Sequence, residues 1–320
     1  MPALTPLRSQ LSAARPLIEK SLPWSPHDFI REVSSDGDRS ISTAPLVRDF
    51  AEEDDLRVCC RVGSTDLALL GERLPWDSAF FGYDVARLHG VFPLAEAGFA
   101  MDADYAPAIR ALARTAAGRG IKYLFAAADC RDLPLIRALG ASGFALIETR
   151  CLFRLSLRRY DYPRRHDCRL ATASDVGSLS EVARAAFNPY DRFNGDPHIG
   201  RETADRLMET WIRASILEGF ADAVMVPNDH RPGAVATVRY HRNRWPAWGV
   251  PVAQIMLALG SPRTPGALVR VVAELHQHLR EVGVEHVFFA TQMTNRPTIR
   301  IAERLGYQFG RGEHVYRLLL

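Results

Sequence analysis

The sequence predicts an α/β protein built from two related mixed-sheet halves in tandem, with the N-terminal half degenerate. Three observations carry that prediction. Short apolar runs with the period of a strand alternate with longer runs of helical period. A shift of 163 residues lays residues 120–144 on residues 283–307 without a gap. In that overlay Gly120/Gly283, Phe125/Phe288, Ala127/Ala290, Pro134/Pro297, Ile136/Ile299, Arg137/Arg300 and Gly143/Gly306 coincide. Each copy therefore reads strand, turn, Pro-led helix, Gly stop, strand, as a duplication would leave it.

Taken in order, residues 1–55 read as an N-terminal extension, mixing Pro, Ser and charge with short apolar patches, one of them around Trp24. Residues 56–157 form the first half. It holds strand-like RVCCRV, the aromatic PWDSAFFGY, a helical run over 105–119, strand YLFAAA, helix LPLIRALGAS and the alternating FALIETRCLFRLSL. Residues 158–166, RRYDYPRRH, are polar, carry a proline and read as a solvated linker. Residues 167–320 form the second half. A strand and an Asp-led helix are followed by a polar helical segment over 204–219, then by strands ADAVMVP, GAVATVRYH and VAQIMLALG. The next helix aligns Leu268, Val272, Leu275 and Leu279 in one apolar stripe. Strand VFFATQ, helix PTIRIAERL with its proline first and Gly306 after it, and a final strand HVYRLLL complete the half.

Composition excludes several classes. The 320 residues are 47% apolar and 24% charged with a net charge of +3, the profile of a globular chain rather than a disordered one. No apolar run reaches the ~20 residues of a membrane helix, and the N-terminus has no apolar signal core. Cys59, Cys60, Cys130, Cys151 and Cys168 form no C-x-x-C pair and read as free thiols of a reducing, cytoplasmic compartment. His276 and His278 stand two apart on a helix, on different faces, so no metal site is expected. Lysine occurs only at Lys20 and Lys122, and the other 38 basic residues are arginine scattered over the whole chain. That scatter points to genome composition, and it supports neither a nucleic-acid nor a membrane partner.

The chemistry is expected in the second half. GSPRTPGALVR, with Arg263 and Gly266 before a helix, places backbone N–H donors and a positive dipole end where a phosphate would bind. ATQMTN, ending in Asn295, leads into the Pro-started helix. In this arrangement the C-terminal half resembles the Gcn5-related N-acetyltransferase (GNAT) superfamily. LPWDSAFFGY, YDRFNGDP, ADRLMETWIRAS and FATQMTN resemble its TDP-fucosamine (TDP-4-amino-4,6-dideoxygalactose) N-acetyltransferase subgroup.

The resemblance implies an acyl-CoA-dependent N-acetyltransferase that moves the acetyl group of acetyl-CoA to the amine of a nucleotide-linked amino sugar. It implies that Arg263, Gly266, Ala267 and Leu268 meet the pyrophosphate, with Leu268 standing where the family has a small residue. It implies that Asn295 meets the pantetheine side, and that backbone groups near Leu257, Ala258 and Leu259 polarise the thioester. The family's acid, a tyrosine seven residues after the Asn, is replaced by Ala302. Tyr307 and Tyr316 are the nearby candidates for a substitute acid, and His241 is a candidate base. Arg192, Phe193 and Phe81 are candidates for the acceptor pocket, through bidentate phosphate binding and ring stacking. In the first half Asp102, Asp104 and Asp132 would repel a pyrophosphate, which leaves one acyl-CoA site per chain. Another acyl-CoA, a small-amine or amino-acid acceptor, and a non-catalytic acyl-CoA-binding module remain open alternatives, as does a homodimer.

Overall fold

In a computed structural model, residues 2–7, 11–21, 24–48, 56–95 and 98–320 are described. They divide between two compact units, residues 1–149 with 312–320, and residues 150–311.

The first unit has strands β1 (Thr5–Pro6), β2 (Arg57–Val62), β3 (Thr65–Arg73), β4 (Val85–Pro93) and β5 (Tyr123–Asp129). Its helices are α1 (Leu11–Ser21), α2 (Ser35–Arg48), α3 (Pro75–Phe81), α4 (Ala106–Gly118) and α5 (Leu133–Ala141). Strands β1 to β4 pair antiparallel in sequence order, and β4 pairs parallel with β5. The segment expected as an extension thus supplies a strand and two helices. Leu7, Ala14 and Ile18 bury themselves against Cys59, Ala68, Leu70 and Phe92. These three apolar side chains cover a sheet face that would otherwise be open.

Strand β6 (Ala145–Ser156) then carries the chain into the second unit. There follow β7 (Cys168–Leu170), α6 (Val176–Ala185), α7 (Arg201–Leu217), β8 (Ala223–Pro227), β9 (Ala234–Arg239), the short α8 (Trp245–Trp248), β10 (Val252–Gly260) and α9 (Ala267–Glu281). β11 (His286–Gln292), α10 (Arg296–Arg304) and β12 (Gln308–Leu319) end the chain. The strands pair in the order β6, β11, β10, β9, β8, β7, with β10 and β11 parallel and the other pairs antiparallel. Helices α9 and α10 cover one face. Val271, Val272, Leu275 and Leu279 of α9 pack with Ala302 and Leu305 on Phe153, Val238 and Ile255. Fully burying each aliphatic side chain is worth ~1.5–3 kcal/mol, so packing holds α9 in place. Helices α6 and α7 cover the other face through Leu179, Ala183 and Ile212.

The boundaries expected from sequence shift in two places. The sequence places the last strand in the half spanning residues 167–320, yet Glu313–Leu319 pair with Asp129–Tyr123 of β5 in the first unit. Reciprocally, Arg150–Ser156 of β6 pair with Gln292–His286 of β11 in the second. Both strands alternate alike, and a strand's own sequence does not choose its neighbour. Residues 158–166 are no free linker either. Arg165 Nε donates to Glu274 Oε1 (2.8 Å), His166 N to Glu274 Oε2 (2.9 Å), and Tyr160 is buried.

Candidate active site

The parallel ladder of β10 and β11 is short. It runs from Val252↔His286 to Ile255↔Phe289 and stops. Beyond it β10 stays paired with β9 to Gly260, and β11 stays paired with β6 to Gln292. A register shift between Ile255 and Leu257 turns β10 away at that point. A wedge therefore opens between two parallel strands at their C-terminal ends, lined on one side by Leu257, Ala258 and Leu259. Leu257 and Leu259 send their side chains to the α6/α7 face and Ala258 to the α9 face. Their backbone edge is left facing the wedge.

The loop after β10 lies at the mouth of this wedge. Ser261 N donates to Gly233 O (2.7 Å), and Thr264 Oγ1 donates to the same carbonyl (3.1 Å). Gly233 is needed there, because a Cβ on it would sit 2.5 Å from Thr264 Oγ1. Gly266 ends the loop at φ +77° as the N-cap of α9, a conformation L side chains rarely adopt. It offers no capping side chain; Ala267 N donates to Thr264 O (3.1 Å), and the N–H groups of Leu268 and Val269 at the start of a 15-residue helix are left open to an anion. Ala267 is buried beneath them. Leu268 does not crowd the donors: its Cβ lies over Gly260, 3.1 Å from where a Cβ of that glycine would be. Arg263 is exposed, its backbone N donating to Ser261 Oγ (3.2 Å).

Asn295 N-caps α10. Its Oδ1 accepts from Thr298 N (3.3 Å), while its Nδ2 donates to Thr291 Oγ1 (3.1 Å) and Gln292 Oε1 (3.4 Å). Gln292 Oε1 also accepts from Asn188 Nδ2 (2.7 Å), which ties the segment before YDRFNGDP to the end of β11. Asn188, Gln292, Thr264 and Gly233 had no signal in sequence beyond being polar or small next to turns. Within YDRFNGDP, Asp191 Oδ1 accepts from Phe193 N and Asn194 N, both at 2.8 Å, so the motif is in part a turn built on one carboxylate. Phe193 is buried with the Arg192 guanidinium 4.3 Å over its ring, which screens it from stacking on a ligand. Tyr190, 57% exposed, is the open aromatic surface of this loop instead, while the Phe187 ring is covered by the Arg201 guanidinium at 4.3 Å.

The remaining candidates lie elsewhere. His241 follows β9, whose end pairs with the start of β10 at Arg239↔Gln254, and its Nε2 bonds Gln254 Oε1 (3.1 Å). At ~3.3 Å per residue it sits about 15 Å of strand from Leu259, too far for a base acting in the wedge. It holds φ +56°, an αL conformation that histidine tolerates better than most side chains. Tyr307 is core: its hydroxyl bonds His276 Nε2 (2.7 Å), and burial pushes its acidity far below that of an ordinary phenol. Tyr316 is packed in the first unit's core beside Leu124 and Ala126. Phe81 belongs to α3 of the first unit, between Phe80 and Tyr83. Ala302, seven residues after Asn295, is 1% exposed and faces the core. Among the described residues no cluster of His, Cys, Asp or Glu is arranged to hold a metal. None of their helices is long and apolar enough to cross a membrane.

The first unit repeats the wedge. Its parallel ladder runs from Val85↔Tyr123 to Leu88↔Ala126 and stops, and residues 123–126 stand 163 before residues 286–289.

No protein-family profile and no curated protein sequence matches the chain. Solved structures do resemble it. A GCN5-related N-acetyltransferase from Sphaerobacter thermophilus is 10% identical over 99% of this chain and 95% of its own, with a TM-score of 0.59. A tandem GNAT protein from the clavulanic acid biosynthesis pathway is 14% identical over 100% and 98%, with a TM-score of 0.54. The chain has a tandem GNAT fold. A glucosamine N-acetyltransferase region of a fungal multi-domain GH3 β-N-acetylglucosaminidase gives a TM-score of 0.61 at 10% identity, over 99% of this chain and 38% of that one. At such identities the likeness is one of fold. None of these structures singles out the TDP-fucosamine subgroup.

Proposed function

We propose that the second unit transfers an acyl group from acyl-CoA, in first place acetyl-CoA, to a primary amine. The observation that carries this reading is the wedge between β10 and β11 with the open N-terminus of α9 at its mouth. The residues present suit the donor. Uncapped N–H groups and the exposed Arg263 accept a pyrophosphate, and the free edge of Leu257–Leu259 accepts an extended pantetheine arm as a strand would.

In this reading a neutral amine attacks the thioester carbon while a β10 N–H bonds the developing oxyanion, and CoA thiolate leaves as the C–S bond breaks. With Ala302 in place of the acid, the thiolate departs unassisted or takes a proton from water. A thiol pKa near ~8.5 makes that tolerable, at the loss of the ~10²–10⁴-fold that general acid catalysis supplies. The base is left to solvent, since His241 is remote. The acceptor is read as an amino sugar, nucleotide-linked, on the resemblance of YDRFNGDP and ADRLMETWIRAS. The fungal glucosamine N-acetyltransferase region, alike in fold, makes the free sugar a second acceptor to try.

The test is thiol release from acetyl-CoA with TDP-4-amino-4,6-dideoxygalactose, glucosamine and a panel of small amines and amino acids. Release above hydrolysis with any of them supports acyl transfer. Tight acetyl-CoA binding by calorimetry with no release across the panel supports a non-catalytic binding module instead.

A further inference from the structure

The wedge has a second wall. Beyond Ile255↔Phe289 strand β11 leaves β10 and runs on to Gln292 beside β6, so an arm lying in the wedge lies along residues 290–292. Val287 and Phe289 turn to the α9 face. By strand alternation Ala290 and Gln292 turn to the α6/α7 face, the side that Leu257 and Leu259 also take. Ala290 is exposed although it lies within the strand, which leaves the floor beside Gln292 open.

The Gln292 carboxamide is held from two sides. Its Oε1 accepts from Asn188 Nδ2 at 2.7 Å and from Asn295 Nδ2 at 3.4 Å, while Asn295 N donates to the Gln292 carbonyl at 2.9 Å. Asn188 in turn opens the loop that presents Tyr190. Its Oδ1 accepts from Tyr190 N (3.0 Å), and its carbonyl accepts from Asp191 N (3.3 Å). One carboxamide oxygen thus joins the N-cap of α10, at the end of the wedge wall, to the first turn of that loop. The 3.4 Å bond is the weak link, and all three amide side chains are half-buried, within reach of water. An acyl-CoA arm along residues 290–292 displaces that water. Hydrogen bonds shielded in this way lose their competitor and gain electrostatic strength.

We infer that Gln292 is a positioning residue that transmits occupancy of the wedge to residues 188–195, so that a bound acyl donor orders the loop that meets the acceptor. The inference rests on the acyl-CoA reading of the wedge. A loop already ordered by the donor lowers the entropic cost that the acceptor meets on binding, and by linkage each substrate then favours the other.

The test is amide hydrogen exchange on the full chain, without acetyl-CoA and with acetyl-CoA at a saturation set by calorimetry. Wild type is compared with Gln292→Met, which keeps the side-chain length and loses the acceptor oxygen, with Asn188→Ala, and with the double variant. Acetyl-CoA is expected to slow exchange in residues 188–195 at least about threefold in wild type, and the slowing is expected to vanish in each single variant. The double variant is expected to behave as either single one does, because both remove the same bond. Neither side chain is fully buried, so the variants keep the fold, which a thermal melt verifies. Wild type that binds no acetyl-CoA overturns the acyl-CoA reading and this inference with it. Binding without slowing overturns the inference alone, as does slowing that persists in Gln292→Met. Loss of acetyl-CoA binding in Gln292→Met makes Gln292 a direct donor contact and overturns its positioning role. Equal slowing in β8 marks global stabilisation by the ligand and overturns it too.

Discussion

Asp132 and Asn295 are the same structural residue in two copies. Asp132 caps α5 at φ −83°, ψ 66°, accepting from Leu135 N at 3.1 Å, and Asn295 caps α10 at φ −80°, ψ 68°, accepting from Thr298 N at 3.3 Å. The glycines that precede and follow agree as well: Gly120 and Gly283 at φ +83° and +85°, Gly143 and Gly306 at +86° and +81°. One copy carries a carboxylic acid and the other an amide, and the difference has electrostatic consequences. Burial raises the Asp132 carboxyl to about 6, with the Leu135 N–H opposing the shift.

A raised carboxyl pKa makes the folded state bind the proton more tightly than the unfolded one. Its stabilising effect is complete below the unfolded value of ~3.9 and is lost as pH rises through about 6. Asp132→Asn keeps the cap and removes the charge. Urea unfolding is expected to show the variant more stable than wild type by roughly 1–3 kcal/mol at pH 8, with little difference at pH 4.

Tyr307→Phe removes the partner of a fully buried histidine. A loss of about 1–3 kcal/mol in stability is expected from the orphaned His276 nitrogen, while the pH dependence of acyl transfer stays that of wild type. A changed kcat profile at equal stability would mark Tyr307 as the acid after all. Burial holds His276 neutral, with its pKa lowered to about 3. The stability from that neutral form is present above ~6.5 and is lost as pH falls below it, so the denaturation midpoint is expected to drop on acidification.

The loop before α9 depends on two glycines. A Cβ at Gly233 meets Thr264 at 2.5 Å, and one at Gly260 meets Leu268 Cβ at 3.1 Å. Gly233→Ala is expected to displace the loop and raise KM for acetyl-CoA about tenfold, roughly 1.4 kcal/mol, with a smaller change in kcat. Arg263→Lys keeps the charge and loses the fork, and a rise of a few fold in the same KM is expected.

A tyrosine at position 302 is not expected to supply an acid. Ala302 is packed among Val271, Leu275 and Tyr307, and Ala302→Tyr is expected to overpack that core by about 1–3 kcal/mol or more, with no gain in kcat. Thermal melts and steady-state rates on the same preparation separate the two effects.

What the sequence determined by itself is local and repeated. The Pro-led helices and their Gly stops were legible because each is set by a few neighbouring dihedrals, whereas the capping roles of Asp132 and Asn295 emerged only in the fold. The 163-residue repeat carried those features across both units, and the run through Arg263 and Gly266 marked the open helix end. The tertiary structure decided the rest. It gave Glu313–Leu319 to β5 and Arg150–Ser156 to β11, because strand pairing is a contest between distant partners of similar pattern. It ended the β10–β11 ladder at Ile255↔Phe289, placed His241 at the wrong end of its strand for catalysis, and sank Tyr307 and Phe193 into the core. A residue's type advertises what chemistry it offers. Its direction of approach and its access to solvent depend on chain segments far away in sequence, and only the folded packing fixes them.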